Sequence, residues 1–406
     1  MSILSTTLCF PNSAAPTQGV FIERRLRAIH ERIPLRIIAP IPWFPLFKPS
    51  HKPSARPPDT PHGPRVHHPR MFYLPGAMKQ WDARFYASAL SHALSELLDE
   101  TPIGLIDAHF VWPDGVGAWR VATEHRLPFV CTIRGKLVSQ LAGRSKRRQI
   151  AEMLRAADAL IAVSRSLAKL ANEVAGRDLN VHVIPNGVDP IVFHRVDQNE
   201  EDEQLNASAL PEGMELSSHS GKTRIVISVG HLQALKGFHH LIEIWPEVRR
   251  RSGEVRLLLV GGEAAEPAYA HALRAQADTV NRNTQGSTPV VSLLGRQPPN
   301  VVARLLNAAD LFVLASRSEG WCNAIAESLA CGCPVVATNV GGNREVIHDP
   351  RLGCLVPTDN QTALTETLCE ALNRDWDRPS IASIGGRRDW QQVAAECVDV
   401  FRTVLS

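Results

Sequence analysis

The chain lacks the marks of several protein classes. No apolar run reaches the roughly 18 residues that a membrane-spanning helix needs, so any membrane contact is expected to be peripheral. The cysteines, at 9, 131, 322, 331, 333, 354, 369 and 397, are scattered and form no paired CxxC. That pattern is neither a zinc ribbon nor a disulfide scaffold, and it points to reduced thiols in the cytoplasm. The opening residues, MSILSTTLCFPNS, carry no basic n-region and turn polar early. They read as a first strand rather than a signal peptide. No GxGxxG opens a helix after a strand, which disfavours a dinucleotide dehydrogenase.

What is present is soluble and globular in character: 44% hydrophobic and 21% charged residues. A chain of 406 residues is too long for one ordinary core and comfortable for two. The net charge is only +3, yet it is uneven. Residues 1–195 hold 25 Lys and Arg against 15 Asp and Glu, so they carry +10 and the remainder −7. A basic first half suits an anionic partner, or is simply an Arg-rich solvated face.

Short apolar runs alternate with helical stretches throughout. In the first half ILSTTLC, PLRIIAP, IGLIDAHF, PFVCTI, ALIAV and VHVIP read as strands, with helices between them. Alternation of this kind predicts βαβ units and a parallel sheet. Residues 48–70, with seven prolines and four histidines, break the pattern and read as a long solvated loop. Residues 197–222 are polar and acidic and mark a linker. The alternation then restarts with TRIVISV, VRLLLVGG, PVVSLLG, LFVLAS, PVVATNV and GCLVP, and two helices close the chain. Two doubly wound α/β domains in tandem place ligands beyond the carboxyl ends of their strands, in an expected interdomain cleft.

The stretch SEGWCNAIAESLACGCPVVATNVGG (318–342) carries two glutamates that packing does not explain. Glu319 lies in the loop after a strand, and Glu327 two turns into the following helix. The helix start can hold a phosphate. A carboxylate at Glu327 suits two adjacent hydroxyls, as on a ribose, and Glu319 suits hydroxyls elsewhere on the ligand. A nucleotide sugar has that layout; a loop glutamate and a surface helix glutamate are the plain alternative. In SVGHLQALKG, Gly230 follows a strand and Lys236 stands at a helix start, where it supplies a point charge for phosphate. Gly295 and Arg296 close another strand of the same domain.

Together, VGHLQALKG, LLLVGGE, VSLLGR, EGWCNAIAESLACGCPVVATNVGGNREVI and GCLVPTDN resemble the C-terminal domain of a family 4 glycosyltransferase, a retaining enzyme of the GT-B fold. The two glutamates match its paired-glutamate motif, with seven residues between them. IPNGVDPIVF (184–193) matches its interdomain signature. FPNSAAPTQGVFIERRLRAI and IDAHFVWPDGVGAW resemble its N-terminal half more loosely. The resemblance implies an acceptor-binding Rossmann-like domain at 1–196 and a linker at 197–222. It also implies a nucleotide-sugar-binding Rossmann-like domain at 223–385 and a C-terminal helix, 386–406, packing back toward the first domain.

It also implies roles. Glu327 binds ribose hydroxyls, and Glu319 contacts the donor sugar near the amides of Gly320, Trp321 and Cys322. Lys236 holds the diphosphate, joined in the donor site by Gly230, His231 and Arg296. Gly19 lets the diphosphate or acceptor approach, and His109 and Arg134 face the acceptor. The chain has His231 where the family commonly has arginine, and Arg134 where many members have histidine. Cys322 and Ala324 are also unusual for the motif, and RGKLVS lacks a following acidic residue.

Asp375-Trp376-Asp377 is a DxD, but it follows a helix near the C-terminus and reads as a helix-ending loop, so no metal is expected. The run RSKRR (144–148) could meet an anionic membrane or a diphosphate lipid, or only solvent. The resulting expectation is a metal-independent hexosyltransferase, with no cofactor and no nucleic-acid partner. It would use a nucleotide-sugar donor, UDP- or GDP-linked, and a glycan or lipid-linked acceptor of surface polysaccharide or lipopolysaccharide synthesis. Its expected place is the cytoplasm, with peripheral contact at the inner membrane. The alternatives are a sugar-nucleotide epimerase of the same fold and an inactive nucleotide-sugar-binding partner in an assembly complex.

Overall fold

The computed structural model describes residues 2–44, 63–196, 223–263, 266–284 and 288–406. The chain forms two compact units, one of residues 1–187 with 390–406 and one of residues 188–389.

Among its described residues unit 1 has nine strands: β1 (Ser2–Thr6), β2 (Leu35–Ile38), β3 (Ile41–Trp43), β4 (Arg65–His67), β5 (Arg70–Phe72), β6 (Ile103–His109), β7 (Phe129–Ile133), β8 (Ala159–Ala162) and β9 (Val181–Val183). Seven form one sheet in the order β4-β2-β1-β6-β7-β8-β9, and β3 pairs with β5 apart from it. The strand contacts are parallel, as the alternation with helices requires. Every residue of β1, β6 and β7 is buried, the mark of strands covered on both faces. Register sets Ser5 beside Asp107 and His109 beside Thr132.

The helix Val20–His30 buries Ile22, Leu26 and Ile29 on one stripe. That stripe shares a core with Trp390, Val393, Cys397 and Phe401 of the Trp390–Leu405 helix. The last helix therefore completes the first unit.

The Pro- and His-rich stretch departs from its reading as one loop. Residues 48–62 of it lie outside the described residues, but Arg65–His67 pairs with β2 and β5 begins at Arg70. Three-residue strands flanked by proline carry too little periodicity to be seen in composition. The linker 197–222 also lies outside the described residues.

Among its described residues unit 2 has six strands: β10 (Arg224–Val229), β11 (Val255–Val260), β12 (Val291–Gly295), β13 (Leu311–Leu314), β14 (Val335–Thr338) and β15 (Gly353–Val356). They form one parallel sheet in the order β12-β11-β10-β13-β14-β15. The DxD joins two helices, Gln361–Asn373 and Arg378–Gly385. The second helix is a short one that the sequence pattern does not announce. Asp377 is its N-cap and accepts the Ser380 N–H at 3.0 Å, so this carboxylate ends a backbone rather than standing open.

Candidate functional site

In unit 2 the strand order reverses at β10, whose neighbours are β11 on one side and β13 on the other. The loops leaving β10 and β13 therefore splay apart, and the opening they leave is where open α/β sheets bind ligands. These are the two loops that hold Gly230, His231 and Lys236, and Glu319, Gly320, Trp321 and Cys322.

The loops are fastened to each other. Gly237 has φ +71°, and a methyl there would collide with the Ala315 carbonyl; only glycine permits that approach. The Arg317 N–H donates to the Leu235 carbonyl at 2.9 Å. Lys236 ends the short turn Ala234–Lys236, and its Nζ donates to Glu319 Oε1 at 2.6 Å. Ser316 Oγ donates to the same carboxylate oxygen at 2.7 Å. The ion pair is shielded, with side-chain exposures of 19% for Lys236 and 8% for Glu319. Burial alone would lower the ammonium's pKa, but Glu319 and the Cys322 thiol hold it above the ordinary lysine value.

The loop after β14 supports Glu319 from below. Gly341, at φ +50°, brings its backbone so close that a methyl would collide with the Glu319 carbonyl. Thr338 Oγ1 donates to the Ser316 carbonyl at 2.5 Å. The glycine pair after β14 is thus the seat of the glutamate loop.

The helix Asn323–Ala330 starts here. Its N-cap, Cys322, makes no side-chain cap bond, and burial pushes that thiol up to about 12. Glu327 sits half-buried in its second turn, and Trp321 is half-buried beside its start. On the other side, a methyl at Gly261 would collide with the Gly230 carbonyl, so these backbones also touch. The Arg296 guanidinium lies across Gly262, where a methyl would meet its Nε at 2.9 Å. His231 is exposed. The structure thus brings Lys236 and Glu319 into direct contact and sets the other donor-site candidates of unit 2 on the loops after β10, β12 and β13, with Glu327 on the helix that follows, whereas Gly19 lies in unit 1. Ser316, Thr338 and Gly341 escaped sequence reasoning as members of this group, although the NVGG motif was visible.

Unit 1 has its own reversal, between β1 and β6. Gly19 closes the loop after β1 and caps the Val20–His30 helix at φ +71°. A methyl there would collide with the Cys9 carbonyl. Packing within the loop therefore already requires this glycine. Asp114, which sequence reasoning passed over inside WPDG, joins the β1 and β6 loops: its Oδ1 accepts the Leu8 N–H at 2.6 Å. Burial raises the Asp114 carboxyl to about 7 against the opposing pull of that bond.

His109 and Arg134 are buried, at 0% and 3% exposure. Arg134 Nε and Nη2 reach His109 Nδ1 at 3.4 and 3.2 Å, and Nη1 donates to Asn186 Oδ1 at 3.1 Å. The guanidinium also lies over the Phe21 ring, 5.1 Å from its centroid. His109 Nε2 lies 3.2 Å from Asp107 Oδ2. Burial lowers the imidazole to about 4 despite that carboxylate, and burial with the nearby Arg25 charge lowers Arg134 to about 9. Both side chains are thus enclosed in a polar network, with their donors and acceptors turned toward each other.

Among the described residues no group of three or more His, Cys, Asp and Glu side chains is placed to hold a metal ion. Nor is any described helix long and apolar enough to cross a membrane.

Two family models match: Glycosyl transferases group 1 over residues 223–374 and Glycosyltransferase Family 4 over residues 24–191. A Bacillus subtilis protein assigned to teichuronic acid biosynthesis, glycosyltransferase TuaC, is 28% identical over 94% of this chain and 92% of its own. Alpha-maltose-1-phosphate synthase of Mycolicibacterium smegmatis is 31% identical over 61% of this chain and 64% of its own. Among solved structures, sucrose-phosphate synthase from Thermosynechococcus elongatus matches 100% of this chain and 99% of its own at TM-score 0.73 and 18% identity. Anabaena HepE in complex with UDP-glucose matches 99% and 100% at TM-score 0.72 and 19% identity. These structures share the GT-B arrangement of two Rossmann-like domains.

Proposed function

Since the chain belongs to the family 4, group 1 glycosyltransferases, we propose that it moves a hexose from a nucleotide sugar to a glycan or lipid-linked glycan, with retention and without a metal. The observation that carries this reading is the Lys236–Glu319–Ser316 cluster at the strand reversal of unit 2. A cation and a carboxylate that hold each other there are poised to exchange partners. The donor diphosphate takes the ammonium, and a sugar hydroxyl takes the carboxylate.

In this reading the bond between the anomeric carbon and the β-phosphate oxygen breaks. The acceptor oxygen forms its bond to that carbon on the same face, and its proton passes to the departing phosphate oxygen. Negative charge therefore grows on the diphosphate. Lys236 and the N–H groups of the Asn323–Ala330 helix start are preorganised for it, a contribution of about 2–4 kcal/mol for each well-placed group. Glu327 holds the ribose hydroxyls. His231, Arg296 and the loops at Gly230 and Gly320–Cys322 shape the rest of the donor site, and unit 1 takes the acceptor, with Gly19 and Arg134 at its loops.

HepE binds UDP-glucose, which supports a UDP-linked donor, with a GDP-linked one next in line. The TuaC likeness supports a surface polysaccharide acceptor. The basic balance of the first half suits an anionic lipid-linked substrate at the cytoplasmic face of a membrane.

The test is nucleotide release by the purified protein from UDP-, GDP- and ADP-sugars, in EDTA and then with Mg²⁺. Release from one donor in EDTA, lost in Lys236→Ala and Glu327→Ala, is expected. Release only with Mg²⁺ would overturn the metal-independent mechanism. Binding of no donor would overturn the assignment of the site.

A further inference from the structure

The polar network of unit 1 has a feature that its burial makes sharp: every proton in its middle can be placed by counting donors. A guanidinium only donates. Arg134 points both Nε and Nη2 at His109 Nδ1, at 3.4 and 3.2 Å, so Nδ1 must carry its lone pair. The imidazole's one proton is then on Nε2. It lies between two oxygens, Ser5 Oγ and Asp107 Oδ2, each 3.2 Å from Nε2, and Ser5 Oγ itself donates to Asp107 Oδ2 at 2.9 Å, so the carboxylate sets this end of the network both directly and through the serine. Register explains the arrangement, because β1 sets Ser5 beside Asp107 and β6 sets His109 two residues further on the same face.

The other charged and titratable groups around the imidazole agree. Arg25, from the Val20–His30 helix, is fully buried and donates to Thr132 Oγ1 at 3.4 Å. Its charge acts on Asp107, His109 and Arg134 alike. The buried thiol of Cys397 and the largely enclosed thiol of Cys9 are held above their ordinary values, so both are neutral. Two guanidiniums thus share one carboxylate. A third positive charge on the imidazole would point an N–H at a guanidinium inside a buried network.

We propose that Asp107 is a positioning residue: through His109, which it fixes as the neutral Nε2–H tautomer, it aims the Arg134 guanidinium. His109 is then no general base, since neither ring nitrogen is open. Asp107 orients the ring and raises the basicity of Nδ1. Nδ1 and Asn186 Oδ1 grip the guanidinium from two sides, with the Phe21 ring against its face. Of the two side chains, the positive charge resides on Arg134. The role given to Arg134 rests on the transferase reading; the tautomer does not.

The first measurement is a two-bond ¹H–¹⁵N correlation spectrum of the full chain with labelled histidine, with His109 identified by its loss in His109→Gln. A bare Nδ1 and a protonated Nε2, unchanged from pH 6 to 8, are expected. An Nδ1–H tautomer or an imidazolium in that range would overturn the proposal, whether or not any donor sugar is turned over. The second measurement is steady-state kinetics of Asp107→Asn on the donor found above. The amide can still accept the Nε2–H but no longer charges the network. A fall in kcat of about ten- to a hundredfold, the range for carboxylates that orient metal-bound histidines, is expected with donor KM within about threefold. An unchanged kcat in a folded variant would overturn the positioning role. If that variant does not fold, the spectrum of the unaltered chain still decides the tautomer.

Discussion

Replacing Lys236 with methionine keeps the unbranched stem up to the ε position and removes the ammonium with its charge. Two losses follow, and they are separable. The first is structural. Glu319 keeps its bond from Ser316 but loses the 2.6 Å bond from the ammonium. With the pair only 19% and 8% exposed, solvent replaces little of it. A hydrogen bond to a charged group contributes about 1.5–3 kcal/mol, and about 2–4 °C of midpoint accompanies each kcal/mol in a domain of this size. Unit 2 should therefore melt about 3–12 °C lower. The second loss is catalytic. About 2–4 kcal/mol of transition-state stabilisation at 1.36 kcal/mol per decade predicts a fall in kcat/KM of roughly 30- to 1,000-fold. Adding Glu319→Gln to Lys236→Met removes the orphaned charge as well and should return most of the melting temperature, with no return of activity. Calorimetry and nucleotide-release kinetics on both variants read the two losses. Activity within threefold of the parent in Lys236→Met, or activity that recovers along with stability in the double variant, would refute the reasoning.

Further outcomes follow from other contacts. Gly341→Ala places a methyl on the Glu319 carbonyl at a left-handed φ; it should cost at least about 2 kcal/mol in urea unfolding and depress turnover with it. Asp114 binds its proton up to about pH 7 in the folded chain against an ordinary value of 3.8. The folded state therefore holds the extra proton in that window, and stability falls as pH rises through it, by at most about 4 kcal/mol. Asp114→Asn removes that slope, so its stability relative to the parent should rise between pH 4.5 and 7.5 in urea titrations. His109 has the opposite sign: its folded value of about 4 lies below the ordinary 6.5, so stability falls as pH drops through that window, and His109→Gln should flatten the acid side. Arg378 donates to the carbonyls of Ala309 and Asn307, both at 2.8 Å, at the end of the Pro299–Ala308 helix. Arg378→Ala should cost about 1.5–3 kcal/mol and leave kcat unchanged.

The sequence made the two parallel sheets legible because buried strands and amphipathic helices write opposite periodicities, and these hold for both units. The glutamate stretch was legible because helix, strand and glycine pair lie together within 25 residues of sequence. What was hidden was long-range or short in extent. Ser5 meets Asp107 across 102 positions, and no local pattern carries that pairing. His109 and Arg134 were picked out by resemblance, yet their enclosure depends on Phe21, Asn186 and Asp107, each from a different segment. Nothing in WPDG singles out Asp114; only folding takes it out of water and sets it on the Leu8 amide. The strands β4 and β5 and the helix Arg378–Gly385 are too short for a period to emerge from proline-bearing sequence.

The Trp390–Leu405 helix, which closes the core over Val20–His30, is made only after the whole of unit 2. At about 5–20 residues per second, the ribosome spends roughly 10–40 s on the residues between Gly187 and Trp390. Throughout that interval the core that Ile22, Leu26 and Ile29 share with the sheet lacks Trp390, Val393, Cys397 and Phe401. Unit 2 is continuous in the chain, from 188 to 389, and can close before the first unit is whole. The order of synthesis is then the reverse of the order of completion. A released chain truncated after residue 389 would hold a complete second unit and a first one without its last helix, so limited proteolysis should cut unit 1 faster than unit 2.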